Sequence, residues 1–349
     1  MLAVVTSNRA VSLKNVAQHV VKVAKEMGVD AVVYEKLLSI ADLKRLGQSA
    51  IIVQQVDPAV TLSYMLLLYN CTKHGIQCVF YATTEGSLDV KHVQAWMSEG
   101  RYVAVSNYVK EKLEEAGIPV EDVVHHGVDL EEIANASENI HIGEKYILNV
   151  GIDPSKYVVV TAVARSLPRK GLWWLAKVAH EVAKVDPKIK FLVVTDNGGL
   201  EYFRGLDNAV VRTDFGSLDR ATNLAIIGAS HIHVVPSLSE GFGLTVLESM
   251  ALGVPVVHAD LPPMREFSVG WRVPVVDVVK FVQTRPYHSG VVYEHHIYRV
   301  EDFAKTIVEV AEMVRNNDET IKQYRQKAVE KATEMDIRNM YPKLIKKVL

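Results

Sequence analysis

Two glutamates, Glu240 and Glu248, are the first residues in this chain whose types and spacing suggest chemistry. Glu240 lies in a polar turn, and Glu248 follows in a segment whose apolar residues recur at helical spacing from Leu244. At roughly 100° per residue, Glu248 falls beside that apolar stripe rather than on the outer face of the helix. A carboxylate there costs free energy unless it has partners, such as sugar or ribose hydroxyls. An acid at a helix start plus an interfacial glutamate explains the same spacing without a ligand.

The turn between these glutamates and a second, basic turn both suit a phosphate. Gly241 and Gly243 leave the first turn without bulky side chains just where the helix begins. The free N–H groups and positive dipole end of a helix can receive an anion. In the second turn, Arg165 and Lys170 offer a guanidinium and an ammonium that could clamp a diphosphate. Surface charge on a loop is the simpler explanation of that basic pair.

The elements that must position these residues alternate between short apolar runs and helical patterns. The apolar runs interpreted as strands include 2–5, 31–34, 50–53, 78–81, 157–164, 190–195 and 208–212. Their alternation with helices predicts parallel, doubly wound α/β sheets, which bind ligands at the carboxyl ends of their strands. Residues 130–155 lack clear periodicity and are predicted to connect two domains, with Tyr146–Val150 as a short strand. From Gly253 onward the strand–helix alternation is expected to repeat.

Composition and charge narrow the class of protein. The 349 residues are 49% hydrophobic and carry a formal net charge of −2, which suits two α/β domains and does not indicate a nucleic-acid partner. Cys71 and Cys78 are predicted to be free thiols in a reducing cytoplasm. No signal segment or membrane-length apolar run is found, so a cytoplasmic location is expected. Lysines 343, 346 and 347 indicate either a solvated helix end or contact with an anionic membrane surface.

The whole motif around the two glutamates has a family resemblance. The string Ser239-Glu-Gly-Phe-Gly-Leu-x3-Glu-Ser-Met-Ala-x-Gly-x-Pro-Val-Val257 closely resembles the nucleotide-sugar motif of retaining GT-B glycosyltransferases, particularly glycosyltransferase family 4. The resemblance implies two Rossmann-like domains facing a cleft. We predict a short acceptor-side domain over 1–145, joined by the C-terminal helix 336–349, and a nucleotide-sugar-binding domain over 146–335.

The resemblance also implies an activity, a co-substrate and a set of site residues. It implies retaining transfer of a sugar, with a hexose expected, from a nucleotide-diphospho-sugar, with no permanently bound cofactor. Glu240 would lie by the sugar, Glu248 would hold the ribose, and Arg165 and Lys170 would hold the diphosphate and stabilise the leaving group. The remaining predicted donor-binding residues are Gly241, Phe242, Gly243, Leu244, Thr245, Asn197, Gly198, Asp214 and Phe215.

Motifs that do not occur help to exclude other classes. No Asp-x-Asp is found, the motif with which metal-dependent GT-A enzymes hold Mn²⁺ or Mg²⁺. No G-x-G-x-x-G follows a strand and no G-x4-G-K-[ST] occurs, which disfavours a dehydrogenase or a P-loop nucleotidase. The histidine pairs 125/126, 231/233 and 295/296 are not backed by carboxylates at matching spacing. We therefore predict no metal site and metal-independent transfer.

Three segments depart from the family pattern and leave alternatives open. Residues 6–12 replace the usual Gly-Gly loop, the segment 83–86 replaces a His that often contacts the donor sugar, and His126 replaces the usual Asn of Asn-Gly-Val-Asp. A nucleotide-sugar-binding protein with weak or lost transfer is one alternative. Another GT-B enzyme, an epimerase or a phosphorylase, is the second. The sequence leaves the acceptor open among a glycan, a lipid-linked molecule and a small molecule, and it does not predict the oligomeric state.

Overall fold

A computed structural model describes residues 1–8, 10–284 and 288–349 of the chain. The strands are β1 (Leu2–Val5), β2 (Ala31–Tyr34), β3 (Ser49–Gln55), β4 (Gln77–Thr83), β5 (Gly86–Leu88), β6 (Tyr102–Ala104), β7 (Val120–Val123), β8 (Val158–Val163), β9 (Ile189–Val194), β10 (Ala209–Arg212), β11 (Ile232–Val235), β12 (Val256–Ala259), β13 (Trp271–Val273), β14 (Val275–Val282) and β15 (Val291–Tyr298).

Helices connect most of these strands. They are α1 (Val11–Glu26), α2 (Ile40–Leu46), α3 (Leu62–Lys73), α4 (Asn107–Glu115), α5 (Leu130–Glu138), α6 (Ile140–Asn149), α7 (Leu172–Val185), α8 (Arg220–Gly228), α9 (Leu244–Ala251), α10 (Pro262–Arg265), α11 (Val300–Arg315), α12 (Glu319–Glu334) and α13 (Ile337–Ile345). Short 3-10 turns cover Ala95–Glu99, Pro168–Lys170 and Asn197–Phe203.

Two six-stranded sheets form the framework, and every ladder within them is parallel. The first has the order β2-β1-β3-β4-β6-β7, and the second has the order β10-β9-β8-β11-β12-β13. The second is the Rossmann order, and the first begins in the flavodoxin-like order. The central strands are continuous apolar runs, which suits sheets covered by helices on both faces. The predicted α/β class with two doubly wound sheets is confirmed.

The segment 130–155 is not the irregular connection expected from its sequence. Asp129 caps α5 by accepting from the backbone of Glu131, and α6 follows after a single residue. Helix α6 packs closely on α8, since a Cβ atom added to Gly143 would lie 2.0 Å from the carbonyl oxygen of Ala225. The predicted strand over Tyr146–Val150 is therefore wrong. Only Ile133, Ala136, Gly143 and Ile147 of these two helices are buried, which leaves too few apolar positions to show a helical period in the sequence.

A third, antiparallel sheet has the order β14-β15-β5. The strand–helix alternation predicted after Gly253 therefore gives way to a hairpin between β13 and α11. Strand β5 comes from the first part of the chain and pairs with Val291–Tyr293 of β15. Gly86 allows this pairing, because a Cβ atom there would lie 2.2 Å from the carbonyl oxygen of Val292. Strand β15 thus joins the two halves of the molecule.

The C-terminal helix returns to the first sheet. Helix α13 packs on α1, and Ser49 Oγ donates to the carbonyl oxygen of Val348. Lys343 and Lys347 form ion pairs with Asp122 at 2.7 and 3.0 Å, so an intramolecular partner accounts for two of the three terminal lysines. Among the described residues, no helix is long and apolar enough to cross a membrane. The division of the chain at residue 145 stays a prediction.

The two cysteines are bonded to each other, so the prediction of free thiols is wrong. Cys71 lies in the last turn of α3 and Cys78 lies near the start of β4. The intervening turn folds the strand back beside the helix, which brings the two Cα atoms to 6.0 Å. A spacing of seven residues does not reveal this pairing in the sequence, because it depends on the direction of the turn.

Candidate active site

A cavity of about 510 Å³ lies where the carboxyl ends of the two parallel sheets face each other. The last residues of four strands line it: Gln55 of β3, Thr83 of β4, Val163 of β8 and Val235 of β11. Strands β8 and β11 flank the point at which the order of the second sheet reverses. Doubly wound sheets bind ligands at such points, and the volume is typical of a small-molecule site.

Most of the predicted site residues meet in this cavity. Those that line it are Arg165, Lys170, Phe215, Glu240, Gly241, Phe242, Gly243, Leu244, Thr245 and Glu248. Asn197, Gly198 and Asp214 lie outside the lining. The Tyr146 hydroxyl lies 2.8 and 2.9 Å from the two carboxylate oxygens of Asp214 and donates its proton to that carboxylate, and Asp196 lines the cavity where Asn197 was expected.

The loop between β11 and α9 holds Glu240 at the cavity. Lys170 Nζ donates to Glu240 Oε1 at 2.5 Å, and Ser237 Oγ donates to the same oxygen at 2.7 Å. Burial raises the pKa of Glu240, but the charges of Lys170 and Arg169 outweigh it and hold that pKa below its ordinary value. Glu240 is therefore an anion, and Lys170 is its counter-ion.

The glycines of this loop are required by their surroundings. Gly243 caps α9 with φ at 106°, a left-handed conformation that L side chains rarely adopt. A Cβ atom on Gly241 would lie 2.1 Å from Thr83 Oγ1, at the end of β4. The loop therefore closes against the first sheet, and Ser106 Oγ donates to the Gly241 carbonyl oxygen at 2.8 Å.

A second acid–base pair faces the same cavity and was missed by the sequence analysis. Arg169 Nη1 lies 2.8 Å from Glu85 Oε1, and within the described residues Glu85 Oε2 is buried without a hydrogen-bond partner. Burial raises the pKa of Glu85 above its ordinary value, although the positive charges of Arg169 and Lys170 oppose the shift. Glu85 lies in the segment that departs from the family pattern, which was the one available signal.

Glu248 is buried beside the apolar stripe of α9, as its position in the helix predicts, and it has a cationic partner. Arg220 Nη1 donates to Glu248 Oε1 at 2.6 Å, and Arg220 Nε donates to Glu132 at 2.9 Å. Glu132 also lies 3.0 Å from His19 Nε2. Burial raises the pKa of Glu132, but the opposing effects of His19 and Arg220 are larger together and lower that pKa to about 2. A series of polar contacts from His19 of α1 through Glu132 and Arg220 therefore holds Glu248 in place. No linear motif in the sequence marks Arg220 as part of this series.

Arg165 lies at the rim of the cavity. Its side chain is 54% exposed, and Nε is 3.7 Å from Asp196 Oδ2. The pair is too exposed to hold the guanidinium firmly, since surface ion pairs contribute little to stability. Arg165 can therefore reorient at little cost.

One cluster among the described residues has the composition of a metal site. Ligand atoms of His19, Asp129 and Glu132 lie within 4.8 Å of one another. Lys22 Nζ donates to Asp129 at 2.5 Å, and Arg220 already binds Glu132. Two cations next to these carboxylates oppose a third positive charge, so the residues fit an ion-pair network better than a metal site.

Comparisons with known proteins agree with this architecture. Residues 156–284 match the family model of group 1 glycosyl transferases. Over 98% of this chain and 99% of the relative, the sequence is 24% identical to uncharacterized glycosyltransferase 335 of Sulfolobus islandicus rod-shaped virus 1.

Solved structures share the fold over nearly their whole length. A glycosyltransferase from Rickettsia africae superposes with a TM-score of 0.71 at 16% identity, over 99% of this chain and 96% of that chain. HepE from Anabaena, solved in complex with UDP and glucose, gives a TM-score of 0.65 at 12% identity, over 99% of this chain and 98% of that chain. The fold is therefore GT-B, and together the comparisons support a group 1 glycosyltransferase.

Proposed function

We propose that this protein is a retaining glycosyltransferase of family 4 that transfers a sugar, a hexose above all, from a nucleotide-diphospho-sugar to a hydroxyl acceptor. The observation that carries the proposal is that two cation–carboxylate pairs lie along one wall of the cavity. Lys170 with Glu240 lies at one position, and Arg220 with Glu248 lies at the other. A nucleotide sugar needs both kinds of group, because its diphosphate is anionic and its sugars carry hydroxyls.

Each end of the wall suits one part of the donor. Glu248 is buried and fixed by Arg220, which leaves its second oxygen, Oε2, to accept from ribose hydroxyls. Lys170, Arg165 and the first turn of α9 would hold the diphosphate. Glu240 would then lie beside the transferred sugar, where its negative charge stabilises the positive charge that develops at the anomeric carbon.

The transfer step needs no protein base in this arrangement. The bond between the anomeric carbon and the leaving phosphate oxygen breaks, and a bond from the acceptor oxygen to the same carbon forms on the same face. The acceptor proton passes to an oxygen of the leaving phosphate. Lys170 and Arg165 counter the charge that accumulates on the diphosphate as the bond breaks. Chain segment 1–145, with helix α13, would provide the acceptor side of the cleft.

Ligand binding and product analysis test this proposal. We would screen UDP-glucose, GDP-mannose, ADP-glucose and the free nucleotides by thermal shift, because ligand at 100 times Kd stabilises by about 2.7 kcal/mol. The best donor is then incubated with candidate acceptors, and the anomeric configuration of the product is read by NMR. Inversion of configuration would contradict the retaining mechanism, and absence of binding to every member of the panel would contradict the function itself.

Chelation tests metal independence in the same assay. We expect full activity in EDTA, because Lys170, Arg165 and the start of α9 meet the charge of the diphosphate without a divalent ion. Adding Mg²⁺ or Mn²⁺ after EDTA serves as the control for chelation itself. Activity that disappears in EDTA and returns only with one of these ions would show that a metal is required.

A further inference from the structure

His126 lies in the wall of the cavity that belongs to the first part of the chain. It follows β7, lines the cavity and is only 3% exposed. Its ring packs edge-on against Phe242 of the α9 loop and against Tyr81 of β4. None of the roles proposed above for the donor uses this side chain, although it lies against the loop that carries Glu240.

The neighbours of His126 determine where its proton lies. The Tyr81 hydroxyl is 2.8 Å from the Val124 carbonyl oxygen and 3.1 Å from His126 Nδ1. A carbonyl has no proton to give, so the single proton of the hydroxyl must point to Val124. The phenol oxygen is then an acceptor, and His126 Nδ1 must carry the proton that it receives. Nε2 is left as the bare nitrogen of a neutral imidazole.

The bare nitrogen is the polar atom of the ring that remains available to a ligand. Nε2 is not among the fully buried polar atoms that lack a partner, so it is accessible, and His126 lines the cavity. Among the residues that the structure describes, Nε2 has no hydrogen-bond partner. Burial, followed by the neighbouring His125 and His19, lowers the pKa of His126 to about 3, so the ring stays neutral at ordinary pH.

We propose that His126 Nε2 accepts a hydrogen bond from a sugar hydroxyl in the cleft and thereby helps to select the substrate. The proposal rests on the proposed function, because it requires a sugar in this cavity. A neutral acceptor suits this position, since it can accept from a hydroxyl without adding another charge to a cavity that already holds the pairs of Glu240 and Glu85 with cations. The hydroxyl belongs either to the sugar of the donor or to the acceptor, and the chemistry of recognition is the same for both.

The tautomer can be measured without any activity. In ¹⁵N-histidine NMR spectra of the full chain, we expect His126 to be protonated at Nδ1 and unprotonated at Nε2 from pH 6 to pH 8. Tyr81→Phe removes the acceptor for Nδ1–H and should shift the population toward the Nε2–H form. A wild-type ring protonated at Nε2 would overturn the inference, whatever the protein binds.

Two substitutions separate ligand recognition from structural support. His126→Asn places an amide near Nδ1 and can keep the contact with Tyr81, but it has no acceptor at Nε2. His126→Gln places an amide oxygen near Nε2 and loses the contact with Tyr81. His125→Asn is the matched control, because His125 does not line the cavity and pairs with Glu266 at 2.7 Å.

The readouts are calorimetric affinity for UDP, GDP and ADP and for UDP-glucose, GDP-mannose and ADP-glucose, together with release of the nucleotide during turnover. We expect His126→Asn to lower donor affinity or turnover by about tenfold and His126→Gln to lower the same quantity by no more than about threefold. Both quantities should stay near the wild-type value in His125→Asn. A loss confined to affinity for the nucleotide sugar assigns the hydroxyl to the donor. A loss confined to turnover, with donor affinity intact, assigns it to the acceptor.

Other outcomes count against the inference. If His126→Gln is as impaired as His126→Asn, the side chain only supports the fold. If neither differs from wild type, no ligand hydroxyl reaches Nε2. Both results require a wild-type protein that binds a donor, whereas failure of the wild type to bind any donor contradicts the proposed function instead.

Discussion

At the scale of the residue, every acid of the cavity wall discussed above has a basic partner on a neighbouring segment. Glu240 pairs with Lys170, Glu85 with Arg169, and Glu248 with Arg220. Removing one member of a buried pair leaves the other charge uncompensated, which is more disruptive than removing both. Substitutions in this wall must therefore be interpreted pair by pair, with nucleotide affinity and turnover measured separately.

Lys170→Ala should lower turnover more than donor affinity. The charge on the diphosphate rises as the sugar–phosphate bond breaks, so a cation there stabilises the transition state more than the ground state. We expect kcat to fall by about tenfold or more while the donor Kd changes by less than about threefold. The control is Lys177→Ala, an exposed lysine of α7 outside the cavity lining. A change confined to Kd would refute this role.

Glu240 and Glu248 should separate by what they bind. Glu248→Ala should weaken nucleoside diphosphate and donor alike, by roughly 1.5–3 kcal/mol, because its bonds to ribose exist equally in ground and transition state. Glu240→Gln should leave nucleotide affinity nearly unchanged while turnover falls by about tenfold or more. Calorimetry with the nucleoside diphosphate on both variants decides the matter. Loss of nucleotide affinity in Glu240→Gln alone would mean that the roles are reversed.

At the scale of the element, strand β15 contacts both sides of the cavity. It pairs with β5, directly after Glu85, and its backbone at Glu294 and His296 binds Ser239 and Leu238 in the Glu240 loop. Strand β15 therefore helps to set the distance between the Glu85 turn and the Glu240 loop, together with the close packing of Gly241 on Thr83.

Gly86→Ala tests this coupling. A Cβ atom at this position meets the backbone of Val292 at 2.2 Å, so β5 must separate from β15. We expect the free energy of unfolding in urea to fall by about 1–3 kcal/mol, the usual range for overpacking, and transfer to fall as Glu85 is displaced. Gly228→Ala is the control, because its nearest neighbour is the end of the Ile140 side chain at 3.4 Å. Equal stability of the two variants would show that the pairing is dispensable.

At the scale of the whole molecule, three buried histidines make stability depend on pH. Burial lowers the pKa to about 3 in His126 and His233 and to about 4 in His258, compared with 6.5 in an unfolded chain. Below pH 6.5 the unfolded chain takes up protons that the folded protein does not. The contribution of these neutral histidines to the free energy of unfolding should therefore be complete above pH 6.5. It should fall as the pH drops toward 4.

Urea unfolding at pH 7, 6 and 5 measures this dependence. Each histidine contributes at most about 1.4 kcal/mol per pH unit within the window, and acidic groups such as Glu132 add their effect only below about pH 4.5. His233→Leu removes one titrating group outside the cavity lining and should reduce the combined contribution of these three histidines to the slope by about a third. A slope unchanged by that substitution would show that folding does not lower the pKa of His233.

The sequence by itself determined the features that depend on neighbouring residues. The alternation of apolar runs and helical patterns predicted the two parallel sheets, and the motif from Ser239 to Val257 predicted the loop, the helix and the burial of Glu248. These signals are local, because strand and helix periods and glycine caps act over a few residues. Arg165 and Lys170 were likewise recognisable from the turn that carries them, and both line the cavity.

Only the tertiary structure decided which groups complete the site. Arg220 reaches Glu248 because α8 packs beside α9, and Glu85 reaches Arg169 across 84 residues of chain because the two sheets face each other. The disulfide, helices α5 and α6, and the pairing of β5 with β15 likewise depend on which surfaces meet. Such contacts follow from packing and burial over long sequence separations, where the chain carries no periodic pattern to reveal them.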